Sequence, residues 1–141
     1  MSDIVLDASV FLAAISPHEV HHQAARALYD TAPEDRPFLV PALFRTEVLA
    51  ALAQRRENEE FMDTVDVLVS GPRFHSVAID SALIERASQV ARAAHLRAYD
   101  AVYAALALDR GAQLMTLDGE VRSRLLGAFP DILLASPPAP A

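Results

Sequence analysis

Four of the 19 acidic residues stand where carboxylates are not ordinarily found. Asp7 directly follows the apolar run Ile4-Val5-Leu6, and Asp118 directly follows Met115-Thr116-Leu117. Both runs read as buried strands, and in a parallel α/β sheet ligands bind beyond the carboxyl ends of the strands. The two aspartates can therefore face one crevice. Glu47 lies in a helical stretch where its neighbours at i±3 and i±4 are Leu43, Phe44, Ala50 and Ala51, all apolar. A carboxylate on such a face is costly unless something pairs with it. Asp100 opens an otherwise uncharged helical stretch through Leu108, with Tyr103 and Ala104 facing it. Several carboxylates share a crevice only when their repulsion is neutralised. A hard divalent cation does this, and Mg²⁺ prefers a few carboxylates together with water and substrate phosphate. Acidic clusters of this kind suit phosphodiester chemistry. Plainer roles stay open: Asp7, Asp100 and Asp118 suit helix N-termini, and Glu47 suits a buried arginine partner.

A competing pattern is His18-Glu19-Val20-His21-His22, which matches H-E-x-x-H. A zinc metalloprotease would need His18 and His22 as ligands on one helix face, Glu19 as base and a third ligand beyond. The apolar stripe Val20, Ala24, Ala27 and Leu28 predicts instead that His18 and His22 point away from the core, and no extended H-x-x-G-x-x-H follows. His75 and His95 have no partner that sequence identifies. Arg45, Arg97, Arg122 and Arg124 lie near the acidic segments and suit bidentate phosphate contact, although each also suits an ordinary ion pair. Tyr99 and Tyr103, at helical spacing, read as packing residues with base stacking as the alternative.

The elements that must position these groups alternate. Short strands are expected at Ile4 to Leu6, Phe38 to Val40, Phe74 to Ile79, Gln113 to Leu117 and Ile132 to Leu134. Between them run helical stretches: Ser9 to Ile15, Pro17 to Tyr29, Ala42 to Arg55, Glu59 to Val69, one capped by Asp80 or Ser81, Tyr99 to Asp109, and Gly119 to Leu126. The helix after Asp80 has the seam Leu83, Ala87, Val90 and Ala94, and Gly111 stops the next. This alternation predicts an α/β fold, a three-layer α/β/α sandwich on a mostly parallel sheet of about five strands. Residues 1–135 are expected to form one domain, with a Pro-rich tail over 136–141.

Composition removes other chemistries. All 12 basic residues are arginine, and the 141-residue chain has no lysine, cysteine or tryptophan. There is no Schiff-base or P-loop lysine, no thiol nucleophile and no thiolate metal site. A receiver-like phosphoacceptor domain, which also uses strand-end aspartates, lacks its lysine here. The glycines at 71, 111, 119 and 127 cannot form a G-x-G-x-x-G cradle. No apolar run approaches a membrane span and the N-terminus does not read as a signal peptide, so a soluble cytoplasmic protein is expected. The formal charge of −7 argues against nonspecific nucleic-acid binding. One bound divalent ion would bring it to −5, so the local field of the site matters more than the total.

Four segments together carry a resemblance: Val5-Leu6-Asp7-Ala8-Ser9-Val10, Thr46-Glu47-Val48-Leu49, Tyr99-Asp100-Ala101-Val102-Tyr103-Ala104-Ala105-Leu106-Ala107, and Met115-Thr116-Leu117-Asp118. In order and in element type they resemble the motifs of PIN-domain ribonucleases, in particular VapC-type toxins of type II toxin–antitoxin modules. The resemblance implies a parallel sheet flanked by helices, with Asp7, Glu47, Asp100 and Asp118 as catalytic residues binding Mg²⁺ or Mn²⁺. Ser9 and Thr116 would support the acidic cluster. It further implies hydrolysis of RNA phosphodiesters, a cognate antitoxin and a homodimer. The segment Gly119-Glu120-Val121 lacks the basic residue many relatives carry early in that helix, Arg122 and Arg124 being the nearest. A binding module of the same fold without catalysis is the alternative.

Overall fold

The computed structural model of the chain describes residues 2–137, so residues 138–141 of the expected tail lie outside the described residues. In chain order the elements are β1 (Ile4–Leu6), α1 (Ala8–Ile15), α2 (His22–Tyr29), β2 (Phe38–Pro41), α3 (Phe44–Gln54), α4 (Glu59–Val69), β3 (Phe74–Val77), α5 (Ser81–Ala94), α6 (Ala98–Arg110), β4 (Gln113–Met115) and α7 (Gly119–Ala128).

The strands are mutually parallel in the order β3-β2-β1-β4. Val5 pairs with Leu39, Phe38 with Phe74, and Leu6 with Met115. Parallel pairing forces each connection to cross the sheet, and the helices that do so cover both faces in a three-layer α/β/α arrangement. The chain builds outward from β1 through β2 to β3, then returns to the other side of β1 to lay down β4. That reversal opens a crevice beyond the carboxyl ends of β1 and β4, where open α/β sheets bind ligands.

The sheet has four strands among the described residues, not about five. Ile132–Leu134 contributes a single parallel bridge, Leu134 to Leu114. Leu114 N–H donates to Leu133 O at 2.8 Å and Ala135 N–H to Leu114 O at 2.9 Å. Pro137 follows two residues later and has no N–H to extend the ladder. β4 also ends two residues earlier than the apolar run suggests. The Thr116 carbonyl is taken by the Arg122 guanidinium at 2.9 Å, not by a neighbouring strand.

Residues 17–21 form turns, and α2 starts only at His22. Separate tight bonds, Glu19 N–H to Ser16 O and His22 N–H to Glu19 O, replace the expected first helical turn. Val20 is 91% exposed, so the stripe through Val20 and Ala24 is displaced to Ala25 and Leu28.

Elsewhere the helical periods hold. Leu83, Ala87, Val90 and Ala94 are the buried residues of α5. In α6 every residue from Ala101 to Ala107 is buried, which explains why the helix is uncharged along that stretch. It ends at Gly111, whose φ of 59° lies in the left-handed region that glycine enters without strain. On the β2–β3 side, Phe11, Tyr29, Phe38, Phe44 and Phe74 interlock with ring centroids 5.0 to 6.2 Å apart. Burying each phenylalanine ring is worth about 1.5–3 kcal/mol. Among the described residues no helix is long and apolar enough to cross a membrane.

Candidate active site

Asp7 is the first residue after β1 and the N-cap of α1. The Ser9 N–H donates to its Oδ1 at 3.3 Å and the Ser9 hydroxyl to its Oδ2 at 2.8 Å. Asp7 N–H donates to Met115 O at 3.1 Å, which keeps the ends of β1 and β4 in contact past the strands themselves. The Thr116 side chain spans this junction. Its hydroxyl, 1% exposed, donates to Asp7 Oδ2 at 3.1 Å and accepts the Asp118 N–H at 3.3 Å. Asp118 lies three residues beyond β4 and caps α7, its Oδ1 accepting the N–H groups of Glu120 and Val121 at 3.0 and 3.1 Å. Both capping bonds fall on Oδ1, so the cap leaves Oδ2 uncommitted. Capping and ligand binding are therefore compatible for Asp118, whereas both oxygens of Asp7 accept hydrogen bonds.

Glu47 comes from the first turn of α3 and Asp100 from the first turn of α6. The partner of Glu47 is Tyr103, not an arginine: the phenol donates to Glu47 Oε1 at 3.0 Å. Tyr103 is 3% exposed, which excludes the base-stacking alternative. The two residues are 56 apart in the chain, and no local pattern links them.

These carboxylates border a groove of about 840 Å³ lined also by Ser9, Leu12, Leu43, Ala50, Arg97 and Tyr99. A second hollow of about 340 Å³ adjoins it at Arg97, Asp100 and Asp118, and adds Glu120 and Arg124. Thus Asp7, Glu47, Asp100 and Asp118, expected from separate segments, meet around one opening.

The electrostatics are those of crowded anions. Desolvation raises the Asp7 carboxyl above the usual range, against the hydrogen bonds of Ser9 and Thr116 that lower it, with the Asp100 charge adding to the rise. Desolvation likewise raises Glu47, against the Tyr103 bond, with Asp7 and Asp100 both adding to it. Asp100 is raised by desolvation, moderated by Arg97 at 3.5 Å and opposed in turn by Asp118. Burial and the Glu47 and Asp7 charges raise Tyr103, so it remains a protonated donor. The charges acting on Asp7 and Glu47 are other carboxylates.

The four arginines part company. Arg97 has 87% of its side chain exposed at the groove edge, and Arg124 lines the second hollow, bonded to Glu120 and to His95 O at 2.7 Å. Arg45 is engaged by Asp66 of α4 at 2.6 and 3.1 Å, on the outer surface. Arg122 donates to the carbonyls of Thr116 and Ala135 at 2.9 and 2.8 Å, fastening the segment after α7 to the sheet.

The H-E-x-x-H segment is not assembled as a zinc site. His18 precedes the helix, Glu19 pairs with Arg55 at 2.7 Å, and His22 Nδ1–H donates to Ala13 O at 2.8 Å. Among the described residues no three acidic or imidazole groups form a ready-made metal cage, here or at the groove.

Comparison with known proteins identifies the family and the fold. The PIN domain family model matches residues 4–124. Mycobacterium tuberculosis VapC20, described as a sarcin–ricin loop cleaving toxin, has a similar structure: TM-score 0.75 and 16% identity, covering 96% of this chain and 100% of that one. A toxin–antitoxin complex from Klebsiella pneumoniae gives 0.70 and 14%, covering 94% and 96%. FitAcB from Neisseria gonorrhoeae gives 0.70 and 17%, covering 95% and 97%. At such identities the likeness concerns the fold. No curated protein sequence matches the chain.

Proposed function

Because this chain belongs to the PIN domain family, we propose that it is a divalent-metal-dependent endoribonuclease and the toxin of a toxin–antitoxin pair. One observation carries the reading: four carboxylates from four parts of the chain border one groove, where desolvation raises Asp7 and Glu47, the Asp100 charge adds to both and the Asp7 charge adds to Glu47. A divalent cation would neutralise such a cluster.

The donors fit Mg²⁺ or Mn²⁺. They are hard oxygens throughout, with no sulfur in reach. Asp7, Glu47, Asp100 and Asp118 would hold the ion. A divalent cation supplies polarisation of the phosphodiester and a more acidic water.

The chain's own groups do the remainder. Ser9 and Thr116 fix the Asp7 carboxylate, and the Asp118 cap fixes Oδ1 while leaving Oδ2 free of capping bonds. A carboxylate of the cluster orients the attacking water and takes its proton. Arg97 and Arg124 flank the opening and offer guanidinium donors to RNA phosphates on either side of the scissile bond. The toxin reading draws support from the neighbours described as toxins and toxin–antitoxin complexes. It brings with it a cognate antitoxin, a homodimer and a cytoplasmic substrate.

Asp7→Ala and Asp100→Ala should each lower RNA cleavage at least ~10²-fold and relieve growth arrest on expression, with circular dichroism unchanged. Variants as active as the parent overturn the assignment. Mg²⁺ or Mn²⁺ should support cleavage of RNA, and Zn²⁺ should support no peptidase activity.

A further inference from the structure

As Thr116 does from just beyond β4, Tyr103 reaches into the acidic cluster from the buried stretch of α6. The site does not need it for packing, since phenylalanine fills the same volume in a helix buried on every side. Its hydroxyl, carried on α6, donates to Glu47 Oε1 at 3.0 Å. One phenol therefore joins α6 to the carboxylate of α3. Tyr103 does not line the groove, so it has no access to substrate or to the reacting atoms.

Glu47 itself stands on a helix turn with apolar neighbours, and its side chain has rotamer freedom that the other three carboxylates lack. Asp7 and Asp118 are pinned by capping bonds, and Asp100, on a shorter side chain, faces the exposed Arg97 at 3.5 Å. Glu47, the longest of the four, takes its hydrogen bond from the Tyr103 hydroxyl. We propose that Tyr103 is a positioning residue: it holds Glu47 by Oε1 so that Oε2 faces the groove and the cation. This rests on the metal-dependent reading above. Partners of this kind, one step behind a metal ligand, are worth about 10–100-fold in metal affinity or activity.

The test is a cycle of Tyr103→Phe, Glu47→Gln and the double variant. It is read by Mn²⁺ binding calorimetry on the full chain, by metal-free melting, and by RNA cleavage across Mn²⁺ concentrations. Tyr103→Phe should weaken Mn²⁺ at least ~10-fold, lower cleavage at limiting Mn²⁺, and recover it at high Mn²⁺ with KM for RNA unchanged. In the Glu47→Gln background Tyr103→Phe should weaken Mn²⁺ no further, because the group it acts through is gone. Parent-like Mn²⁺ binding by a folded Tyr103→Phe overturns the inference alone. So does an equal loss in both backgrounds, which would mark a packing role. Failure of the parent to bind Mn²⁺ overturns the nuclease reading and this inference with it.

Discussion

At the scale of single residues the site is a cluster of side chains held against their own preference. Asp7, Glu47 and Asp100 have carboxyls raised chiefly by desolvation. A folded-state value above the unfolded one means that the folded chain binds the proton more tightly. The stability these groups contribute is therefore full below the ordinary carboxylate value of about 4 and is lost as pH rises through the raised values. Asp66 is shifted the other way by Arg45 but lies on the surface, where screening keeps its effect small. Asp7→Asn keeps an N-cap acceptor and removes the buried charge. It should raise the metal-free melting temperature at pH 7 by roughly 2–5 °C and flatten its pH dependence while losing RNA cleavage. A lowered melting temperature would contradict the picture of a desolvated, uncompensated charge. Added Mg²⁺ or Mn²⁺ should stabilise the parent in proportion to occupancy, and Asp7→Asn should forfeit most of that gain.

At the scale of elements, what matters is how two strand ends and two helix starts are locked together. Thr116 does this for β1 and β4. Thr116→Val leaves Asp7 Oδ2 short of a donor and the Asp118 N–H short of an acceptor, so it should cost about 1–3 kcal/mol in urea unfolding. Thr116→Ser should retain most of it; equal losses for both would place the effect in packing. The strand-end aspartates were legible because an apolar run followed by an acid is a local pattern. The same holds for the α5 seam and for Gly111 as a stop. Glu47 was legible as an anomaly, yet its partner was not, because Tyr103 lies 56 residues on and reaches it only in the folded chain. Arg45 and Arg122 went unread for the same reason: their destinations, Asp66 and the carbonyls of Thr116 and Ala135, are set by tertiary contacts. The late start of α2 and the shortfall of a fifth strand are boundary effects. Local turn bonds and a following proline decide them, and hydrophobic period does not.

At the scale of the whole molecule, a net charge of −7 has to be reconciled with the polyanionic substrate proposed above. The acidity is partly the site itself, and only arginine is present to meet phosphate. RNA binding should therefore be weak without a divalent ion. Arg97→Ala and Arg124→Ala should each weaken metal-dependent binding about 3–10-fold and reduce its salt slope by roughly 1. Arg45→Ala, committed to Asp66, should leave binding unchanged; fluorescence anisotropy across salt concentrations distinguishes the three, and an Arg45→Ala effect as large as the others would relocate the RNA path. The order of the sheet has one more consequence, for synthesis. Asp7 leaves the ribosome first, but one of the two hydroxyls that fix it belongs to Thr116, 109 positions later and just beyond the last strand to join. Every shorter nascent chain lacks β4, Thr116 and Asp118, and so lacks the crevice. On the nuclease reading proposed above, a ribosome making this protein meets no complete site until almost all of it has been translated, and a message truncated before β4 should encode an inactive product.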